Sequence, residues 1–376
     1  MIKLTTAGES HGKELVGIIE GLPSNLPVDI SEINRYLALR QSGYGRGGRQ
    51  KIERDEAEIL SGVRNKLTLG SPLAFCIKNR DYENWRGVMA PEGADVTQRT
   101  LTRVRPGHAD LTGMKKYAQD DARNILERAS ARETAARVAG GTIARQYLAA
   151  LGVEVSGYVV GVCGHTDKNY HGFEELEKAK SQPLFMLDGG VQKEAMAAID
   201  GLKEAGDTAG GLIEIRVKGL KSGFGSCMRY ADKLDAALCG AIMSVQAIKG
   251  VEVGMGFAVA ERAGSAVHDE IFNEDGKFVR KTNNAGGIEG GMSNGEEIVL
   301  RAAMKPIPTL MRGLRTVDAV SGEPCLAASE RSDVTAVCAC EIILESVVCL
   351  VLADVVSNRL GGDNIKEVKE RYSLLP

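Results

Sequence analysis

Two histidines of this sequence lie in short glycine-containing motifs. His11 belongs to the stretch "GESHG" and His108 to the stretch "RPGHAD", among five histidines in the chain. Histidine titrates near neutral pH, so it can donate a proton to a leaving group or hold an anion. Taken singly, each also fits a structural or surface histidine. Beside the arginines described next, the pair indicates acid–base chemistry on an anionic ligand.

Arginines crowd two segments of a chain whose net charge is −3. A guanidinium presents forked donors that match phosphate and carboxylate, so this clustering predicts a small anion site. The alternative is a pair of solvated helix faces. The acidic net charge argues against a general nucleic-acid-binding surface. The first segment contains Arg40, Arg46, Arg49 and Arg54, and the second contains Arg103, Arg105, Arg123, Arg128, Arg132 and Arg137.

The stretch "GYGRGG", from Gly43 to Gly48, carries two of these arginines in or beside a glycine loop. It matches the spacing of a dinucleotide-binding fingerprint, but that motif follows a strand and opens a helix, whereas here a predicted helix precedes it. Glycines let a backbone close over a ligand. The loop is therefore interpreted as a substrate lid that uses Arg46 and Arg49, with an ordinary surface loop as the alternative.

Two further residues stand where helices are predicted to begin. Ser130 opens the pattern Ser-x-x-Glu of a capping box with Glu133, and a helix N-terminus also attracts anions. Its hydroxyl can serve as a cap, as a ligand contact, or as both. Asp333 stands at the start of the final predicted helix, where spacing alone favours an ordinary first-turn carboxylate over a catalytic base.

The elements that must position these residues alternate along the chain. A strand is predicted at the N-terminus, before His11, and either Asp29 or Ser31 is predicted to cap the first long helix. The mixture of helices with strands that look antiparallel favours an α+β fold, and no linker divides it. Predicted helices cover residues 29–41, 130–152, 232–250 and 332–360, and predicted strands cover 153–164, 211–220 and 251–262.

The composition indicates which class of protein this is. The chain has 376 residues, of which 43% are hydrophobic, enough for a large buried core. The apolar run near the C-terminus is interrupted by Glu345 and Asp354, so no membrane span is predicted. No secretory signal is visible, and an intracellular protein is expected. The eight cysteines mostly lie in apolar segments, which indicates free thiols, and no metal site is predicted.

Seven motifs in order make the sequence similar to the chorismate synthase family. They are "GESHG", "RQSGYGRGGR", "RPGHAD", "SARETAARVAGG", "NNAGGIEGGMSNGE", "KPIPT" and "RSD". The resemblance runs from Met1 to about Leu360, with a short tail beyond it. It implies a carbon–oxygen lyase that converts 5-enolpyruvylshikimate 3-phosphate into chorismate and phosphate by a 1,4-anti elimination, the last step of the shikimate pathway to aromatic amino acids.

The resemblance also implies a requirement for reduced FMN without net redox change, because the C6 hydrogen of the substrate is not acidic enough for an ordinary base. In the family, reduced flavin lends an electron as phosphate leaves and recovers it as the C6 hydrogen departs. NADPH is implied as a source of reducing equivalents, at Arg40 and Arg46. The resemblance also associates NADP and FAD with a flavoprotein of this kind.

Residue roles follow from the resemblance, position by position. His11 is implied as the acid near the departing phosphate, His108 as a partner of the reduced flavin, and Asp333 as a participant in removal of the C6 hydrogen. The implied substrate contacts are Ser10, Arg40, Arg46, Arg49, Arg105, Ser130, Arg132 and Arg331. The implied FMN contacts are Arg128, Ala129, Ser130, Gln246, Ala247, Gly290, Lys305, Pro306, Ile307, Pro308, Thr309 and Arg331.

One departure from the family pattern stands next to this site. The family usually shows "GRSSARET", whereas this chain has "ERASARET", with Glu127 in place of a glycine and Ala129 in place of a serine. One hydroxyl contact to the flavin or the substrate is thereby put in doubt. Because Ser130 and Arg132 are kept, activity is expected to survive.

The resemblance further implies a single domain over residues 1–376 with a β-α-β sandwich, a homotetramer and a cytoplasmic location. The expected ligand is a small molecule with one phosphate and two carboxylates, and neither nucleic acid nor a membrane is an expected partner. Two other functions remain open from the residues alone. One is a true flavin or nicotinamide oxidoreductase acting on a phosphorylated acid, and the other is a non-catalytic binder of anions or nucleic acid.

Overall fold

Helices and antiparallel strands alternate along this computed structural model, which describes residues 1–47, 54–328 and 333–376. The α+β prediction is confirmed at this level, because every sheet of the described residues pairs its strands antiparallel. The helices are α1 Ile30–Gln41, α2 Arg86–Met89, α3 Asp110–Tyr117, α4 Arg123–Ala129, α5 Thr134–Ala149, α6 Phe173–Ala179, α7 Gly189–Glu204, α8 Leu234–Met243, α9 Val337–Leu360 and α10 Ile365–Ser373.

The strands form two main sheets and several hairpins. The strands are β1 Lys3–Ala7, β2 Glu14–Glu20, β3 Ala57–Ile59, β4 Val63–Arg64, β5 Leu67–Thr68, β6 Leu73–Lys78, β7 Glu154–Val162, β8 His165–Thr166, β9 Gly211–Lys218, β10 Ile248–Val253, β11 Ile271–Glu274, β12 Lys277–Arg280, β13 Ile288–Glu289, β14 Met292–Ser293, β15 Ile298–Met304, β16 Arg315–Val317 and β17 Pro324–Leu326.

The first main sheet has the strand order β1-β2-β6-β3 and the second has the order β10-β15-β9-β7-β8. Burial alternates along β2, where Leu15 and Ile19 are buried and Ile18 is exposed. A strand with this alternation turns one face to a core. Strand β7 is buried along nearly its whole length, which is typical of a strand covered on both faces.

Helices α5 and α9 pack against each other, and each also contacts strands. α5 contacts β1 and β2 of the first sheet, and α9 contacts β7 and β9 of the second. Both helices are apolar nearly all round, as expected for helices that do not face solvent. Gly141 allows their close approach, because a Cβ there would come within 2.5 Å of the Cβ of Ser346. Among the described residues, no helix combines the length and apolarity needed to cross a membrane.

Several predicted element bounds are confirmed. α1 begins after Asp29, whose side chain accepts a hydrogen bond from the Ser31 backbone N–H as an N-cap. β7 and β9 lie within the strands predicted at 153–164 and 211–220. All eight cysteines are free, and Cys76, Cys338, Cys340 and Cys349 are buried.

Other predicted bounds are wrong for a local reason. The helix predicted over 232–250 ends at Met243, and Ala247 then adopts a φ of +70°, which no continuing helix allows. The strand predicted over 251–262 ends at Val253, because Gly254 and Gly256 take positive φ and a 3₁₀ turn follows. The first break lies in a segment without glycine or proline, whereas Gly254 and Gly256 were the signal for the second.

The helix predicted over 130–152 is divided. Ser130 ends α4, since its backbone N–H donates to the Leu126 carbonyl, and a 3₁₀ turn over Ala131–Glu133 separates it from α5. The capping box is wrong, because the Glu133 carboxylate binds Gln246 and Arg137 and not the Ser130 backbone. The final helix begins at Val337, so Asp333 precedes it and is not a first-turn residue.

Candidate active site

The loop between β1 and β2 presents His11. Gly8 opens this loop with a φ of +108°, and a Cβ there would lie 2.4 Å from the Glu14 carbonyl oxygen, so only glycine fits. The Asn79 amide donates to the carbonyls of Glu9 and Gly12, at 3.1 and 2.6 Å. Asn79, which directly follows strand β6, therefore anchors the His11 loop to the first sheet.

The imidazole of His11 is held at its edge and at its face. Its Nδ1 lies 2.9 Å from Glu127 Oε1 and 3.1 Å from Oε2, and its backbone N–H donates to Oε2 at 2.8 Å. Its ring stacks on Trp85 with 3.9 Å between centroids. The His11 side chain is 12% exposed and that of Glu127 is 2% exposed. A weakly exposed histidine with one nitrogen bound to a carboxylate can exchange a proton through the other nitrogen.

The Glu127 carboxyl is ionised in this environment. Burial raises its pKa, but the hydrogen bonds and charge of His11, together with the charge of Arg123, outweigh the burial and lower the pKa below its ordinary value. Arg123 Nη1 lies 3.4 Å from Glu127 Oε1. The buried carboxylate of Glu127 thus contacts the predicted acid.

A buried network of charges adjoins this histidine. Arg132 donates to Asn79 Oδ1 at 2.9 Å and to Asp55 Oδ1 at 2.6 Å. Arg40 lies 3.5 Å from the other oxygen of Asp55 and donates to Thr134 Oγ1 and the Ala131 carbonyl. Burial lowers the pKa of Arg40 to about 10, against the opposing charge of Asp55. Two predicted substrate arginines thus share one buried counter-charge.

The predicted serine pair is brought together. Ser130 Oγ donates to Ser10 Oγ at 3.2 Å, and the Ser10 backbone N–H donates to the Glu127 carbonyl at 2.8 Å. The junction of α4 and α5 therefore places both hydroxyls beside the His11 loop. Arg132 follows Ser130 by two residues and reaches the same loop through Asn79.

His108 forms a second histidine–carboxylate pair. Its Nδ1 lies 2.5 Å from Asp110 Oδ1, and Arg105 Nε donates to Asp110 Oδ2 at 2.8 Å. Burial raises the pKa of Asp110, but hydrogen bonds from His108 and Arg105 outweigh it and hold the pKa well below the ordinary range. Arg105 also donates to Thr309 Oγ1 at 3.1 Å. The prediction that His108 precedes a helix whose first residues include Asp110 is confirmed.

The segment from Lys305 to Thr309 lies against the His108 loop. Lys305 Nζ donates to the Gly107 carbonyl, and its backbone N–H donates to the Ala247 carbonyl at 2.9 Å. Gln246 in turn donates to Glu133 at 2.7 Å, at the start of α5. Hydrogen bonds thus lead from the start of α5 to the His108 loop by way of three predicted FMN contacts, Gln246, Ala247 and Lys305.

Asp333 and Arg46 form a third group. Arg46 Nη1 lies 3.1 Å from Asp333 Oδ2, and the Gly47 backbone N–H donates to Asp333 Oδ1 at 2.5 Å. Both line a cavity of about 490 Å³ that also includes Thr208, whose hydroxyl donates to the Ile307 carbonyl. His11 and His108 are not among the described residues that line this cavity. The glycine loop therefore contacts the predicted base directly.

The remaining predicted residues divide into three kinds. Arg128 donates to the Gly8 and Thr6 carbonyls and so supports the His11 loop, and Ala129 is the last residue of α4. Gly290 lies in the β13–β14 turn, beside Met292 and Cys227. Three other predictions fall outside the described residues. They are Arg49, Arg331 and the rest of the glycine loop beyond Gly47.

Four residues of the site were not predicted for it, namely Glu127, Asp110, Asp55 and Trp85. Asp110 had a local signal, since it stands two residues after His108. Glu127 was seen only as a departure from a pattern, and its contact with His11 spans 116 positions. Trp85 is the single tryptophan of the chain, and Asp55 follows a crowded arginine segment.

Comparisons with known proteins give one family name. A family model described as chorismate synthase matches residues 2–357. Proteins named chorismate synthase from Geobacter sulfurreducens and from Alkaliphilus metalliredigens are each 52% identical to this chain, over 99% of it and 98% of each relative. A solved structure described as "Crystal Structure of Chorismate Synthase" has a TM-score of 0.79 and 39% identity, and the match covers 99% of this chain and 96% of that chain.

Proposed function

This chain belongs to the chorismate synthase family, and from that membership we propose which of its residues carry the reaction. It is a carbon–oxygen lyase that eliminates phosphate from 5-enolpyruvylshikimate 3-phosphate to give chorismate. The C–O bond to phosphate breaks with its electron pair, and the electrons of the C6–H bond complete the new double bond. The reaction therefore needs a proton donor at the phosphate and an acceptor near C6.

His11 is the proposed donor to the departing phosphate. The observation that carries this assignment is the pairing of His11 Nδ1 with the buried carboxylate of Glu127, which leaves Nε2 to exchange a proton with the ligand. Ser10 and Ser130, whose hydroxyls lie 3.2 Å apart, supply neutral donors beside the same loop. A proton delivered to the phosphate oxygen lowers the charge that the leaving group must carry.

The arginines are proposed to set the charge of the site. Arg46 contacts the cavity, and its Nε is buried with no hydrogen-bond partner among the described residues, so it can donate to a carboxylate or phosphate. Arg40 and Arg132 are paired with Asp55 inside the protein. We propose that they act on the anionic substrate mainly through their field, while Arg46 and Arg105 present donors. Arg49 and Arg331 remain proposed substrate contacts from the resemblance.

Asp333 is the proposed acceptor near C6. Its carboxylate is held by Arg46 and by the Gly47 backbone N–H, and it is 17% exposed. A charge-assisted pair of this kind orients a carboxylate while leaving lone pairs for a proton.

The residues present fit a bound flavin. Gln246 Oε1 is a buried acceptor with no hydrogen-bond partner in the described chain. The Nε2 of the same side chain donates to Glu133 at the start of α5, and the next residue, Ala247, accepts from the Lys305 backbone N–H. We propose that Gln246, Ala247 and the 305–309 segment hold FMN, with His108 hydrogen-bonded to it. The chemistry that reduced FMN supplies when bound is a transient electron, lent as phosphate leaves and recovered as C6–H breaks.

Finer properties are proposed from the resemblance. We propose a single domain in which the two main sheets enclose α5 and α9 as a β-α-β sandwich, and the contacts of these helices with both sheets support it. A homotetramer, a cytoplasmic location and NADPH at Arg40 and Arg46 are supported by the family resemblance alone. Arg128, Ala129, Ser130, Gly290 and Arg331 stay proposed FMN contacts on the same ground.

Replacement of each histidine tests the assignment. His11→Ala and His108→Ala are each expected to lower the turnover of phosphate release by about a hundredfold or more, the range of general acid–base contributions. His165→Ala is the matched control, because His165 is 37% exposed and pairs only with Glu194 among the contacts described for it. Wild-type turnover in either site variant would remove the role assigned to that histidine.

A further inference from the structure

Glu127 is almost fully buried and gives its carboxylate to His11 at three contacts. Oε2 accepts the His11 backbone N–H, and both oxygens lie within 3.1 Å of His11 Nδ1. Arg123, one turn earlier on α4, lies 3.4 Å from Oε1. A carboxylate that binds both the backbone and the ring of one residue fixes that residue's rotamer and its tautomer together.

The face of the imidazole is fixed by a second group. Trp85 stacks on His11 at an interplanar angle of 28°, and its indole N–H donates to Asp81 at 3.0 Å. Arg99 and Arg123 lie over the same indole ring, at 3.9 and 5.1 Å from its centroid. The imidazole therefore contacts a carboxylate at its edge and an indole on its face, and two guanidinium groups lie over the same indole.

We propose that Glu127 is the positioning residue for His11: it binds Nδ1–H and balances the nearby cations, so that His11 offers a proton from Nε2 to the phosphate leaving group. This inference rests on the proposed role of His11. It assigns a function to a carboxylate that is 2% exposed and lies 116 positions from the histidine it binds.

The charges around His11 come from several elements. α4 contributes Glu127 and Arg123, Arg99 lies over the Trp85 ring, and Asp81 accepts the Trp85 indole N–H. Arg132 on the 3₁₀ turn reaches the loop through Asn79, and its own charge is met by Asp55. Glu9, in the His11 loop itself, is exposed and well solvated. With Glu127 removed, the cations of Arg123 and Arg99 over Trp85 remain, and they disfavour a protonated imidazole. Glu127 is ionised, since its pKa is lowered despite its burial.

The single tryptophan of the chain makes the proposal measurable without substrate or flavin. An imidazolium quenches indole fluorescence more strongly than a neutral imidazole, and His11 lies 3.9 Å from Trp85. A pH titration of Trp85 fluorescence in the full chain therefore follows the protonation of His11. His11→Ala must abolish the titration, which establishes the reporter.

Glu127→Gln is the deciding variant, because it keeps the shape and removes the charge. We expect the fluorescence midpoint to move to lower pH by about one unit or more, the size of effect that an adjacent opposite charge has. The control Glu9→Gln removes an exposed carboxylate from the same loop and is expected to shift the midpoint by less than about a third of a unit. In the turnover assay, Glu127→Gln is expected to lower kcat about tenfold or more at neutral pH, with KM little changed.

A midpoint in Glu127→Gln equal to that of the wild type would overturn the proposal, even if His11→Ala is inactive. A shifted midpoint together with full turnover in His11→Ala would remove the proposed function of His11 instead, so the two failures are distinguishable. If Glu127→Gln does not fold, Glu127→Asp replaces it. That variant keeps the negative charge but places it one methylene farther from His11. The fluorescence midpoint is therefore expected to move to lower pH by less than in Glu127→Gln.

Discussion

Asp55 lies between two buried arginines, and its removal has a predictable cost. Asp55 is 2% exposed, Arg40 is 6% exposed and Arg132 is 7% exposed. The Asp55 oxygens lie 2.6 Å from Arg132 Nη1 and 3.5 Å from Arg40 Nη1. Asp55→Asn keeps the volume of the side chain and leaves two guanidinium groups without their shared counter-charge.

The magnitude follows from the groups that remain. Removing one partner of a buried ion pair typically costs about 3–5 kcal/mol. Arg40 keeps its hydrogen bonds to Thr134 and the Ala131 carbonyl, and Arg132 keeps its bond to Asn79, so we expect the lower end, about 3 kcal/mol. Burial already lowers the pKa of Arg40 to about 10 against the opposing charge of Asp55, and loss of that charge lowers it further.

The same substitution should strengthen the binding of anions. With Asp55 neutralised, the site carries one more positive charge, so inorganic phosphate should raise the melting temperature of Asp55→Asn more than that of the wild type. The assay is urea unfolding for the stability loss, and thermal unfolding across a phosphate series for the second effect. Asp120→Asn, a change at an exposed carboxylate on the surface, is the matched control.

Two results would refute this reasoning. One is an unfolding free energy of Asp55→Asn within experimental error of the wild type, which would show that Asp55 is not the counter-charge of the two arginines. The other is a phosphate response identical to that of the wild type, which would show that the buried network does not act on the anion site.

Three other substitutions probe separate parts of the chain. Asp110→Asn should lower kcat at least about tenfold, measured by turnover. It should also remove the stability that the lowered pKa of Asp110 adds above about pH 4, measured by thermal unfolding against pH. A melting temperature that falls at acid pH as it does in the wild type would contradict this. Arg46→Ala should raise the KM for substrate by roughly tenfold, the loss of one charge-assisted hydrogen bond, and an unchanged KM would show that the glycine loop does not bind substrate. Glu341 is fully buried, and burial together with the charge of Glu345 raises its pKa well above the ordinary value. Because the folded chain keeps Glu341 protonated to a higher pH than the unfolded chain does, stability is lost as pH rises, and Glu341→Gln should melt higher than the wild type near pH 8 but not near pH 4. Equal melting at both pH values would contradict the assignment.

Local sequence patterns predicted the parts of the site that are built locally. The cap at Asp29 placed α1, and the motif around His108 placed that residue just before α3. The glycine loops at His11 and at Gly43 also stand where they were expected. These features depend on neighbours within a few residues, which a single sequence displays.

Partners that meet across the fold could not be predicted in the same way. Glu127 reaches His11 over 116 positions, and Arg132 reaches Asp55 over 77. Nothing in the local sequence marks either pair, because the contact exists only when the helix junction packs on the β1–β2 loop. The capping box at Ser130 failed for the same reason, since Gln246 and Arg137 compete for the Glu133 carboxylate.

The central claim is that this site eliminates phosphate with no net oxidation or reduction. The direct measurement is an anaerobic turnover assay with reduced FMN and 5-enolpyruvylshikimate 3-phosphate, in which phosphate release and the absorbance of oxidised flavin are followed together. The account predicts many phosphates released per flavin, with the flavin still reduced at the end. Oxidation of one flavin for each phosphate released would contradict it and would indicate a true oxidoreductase.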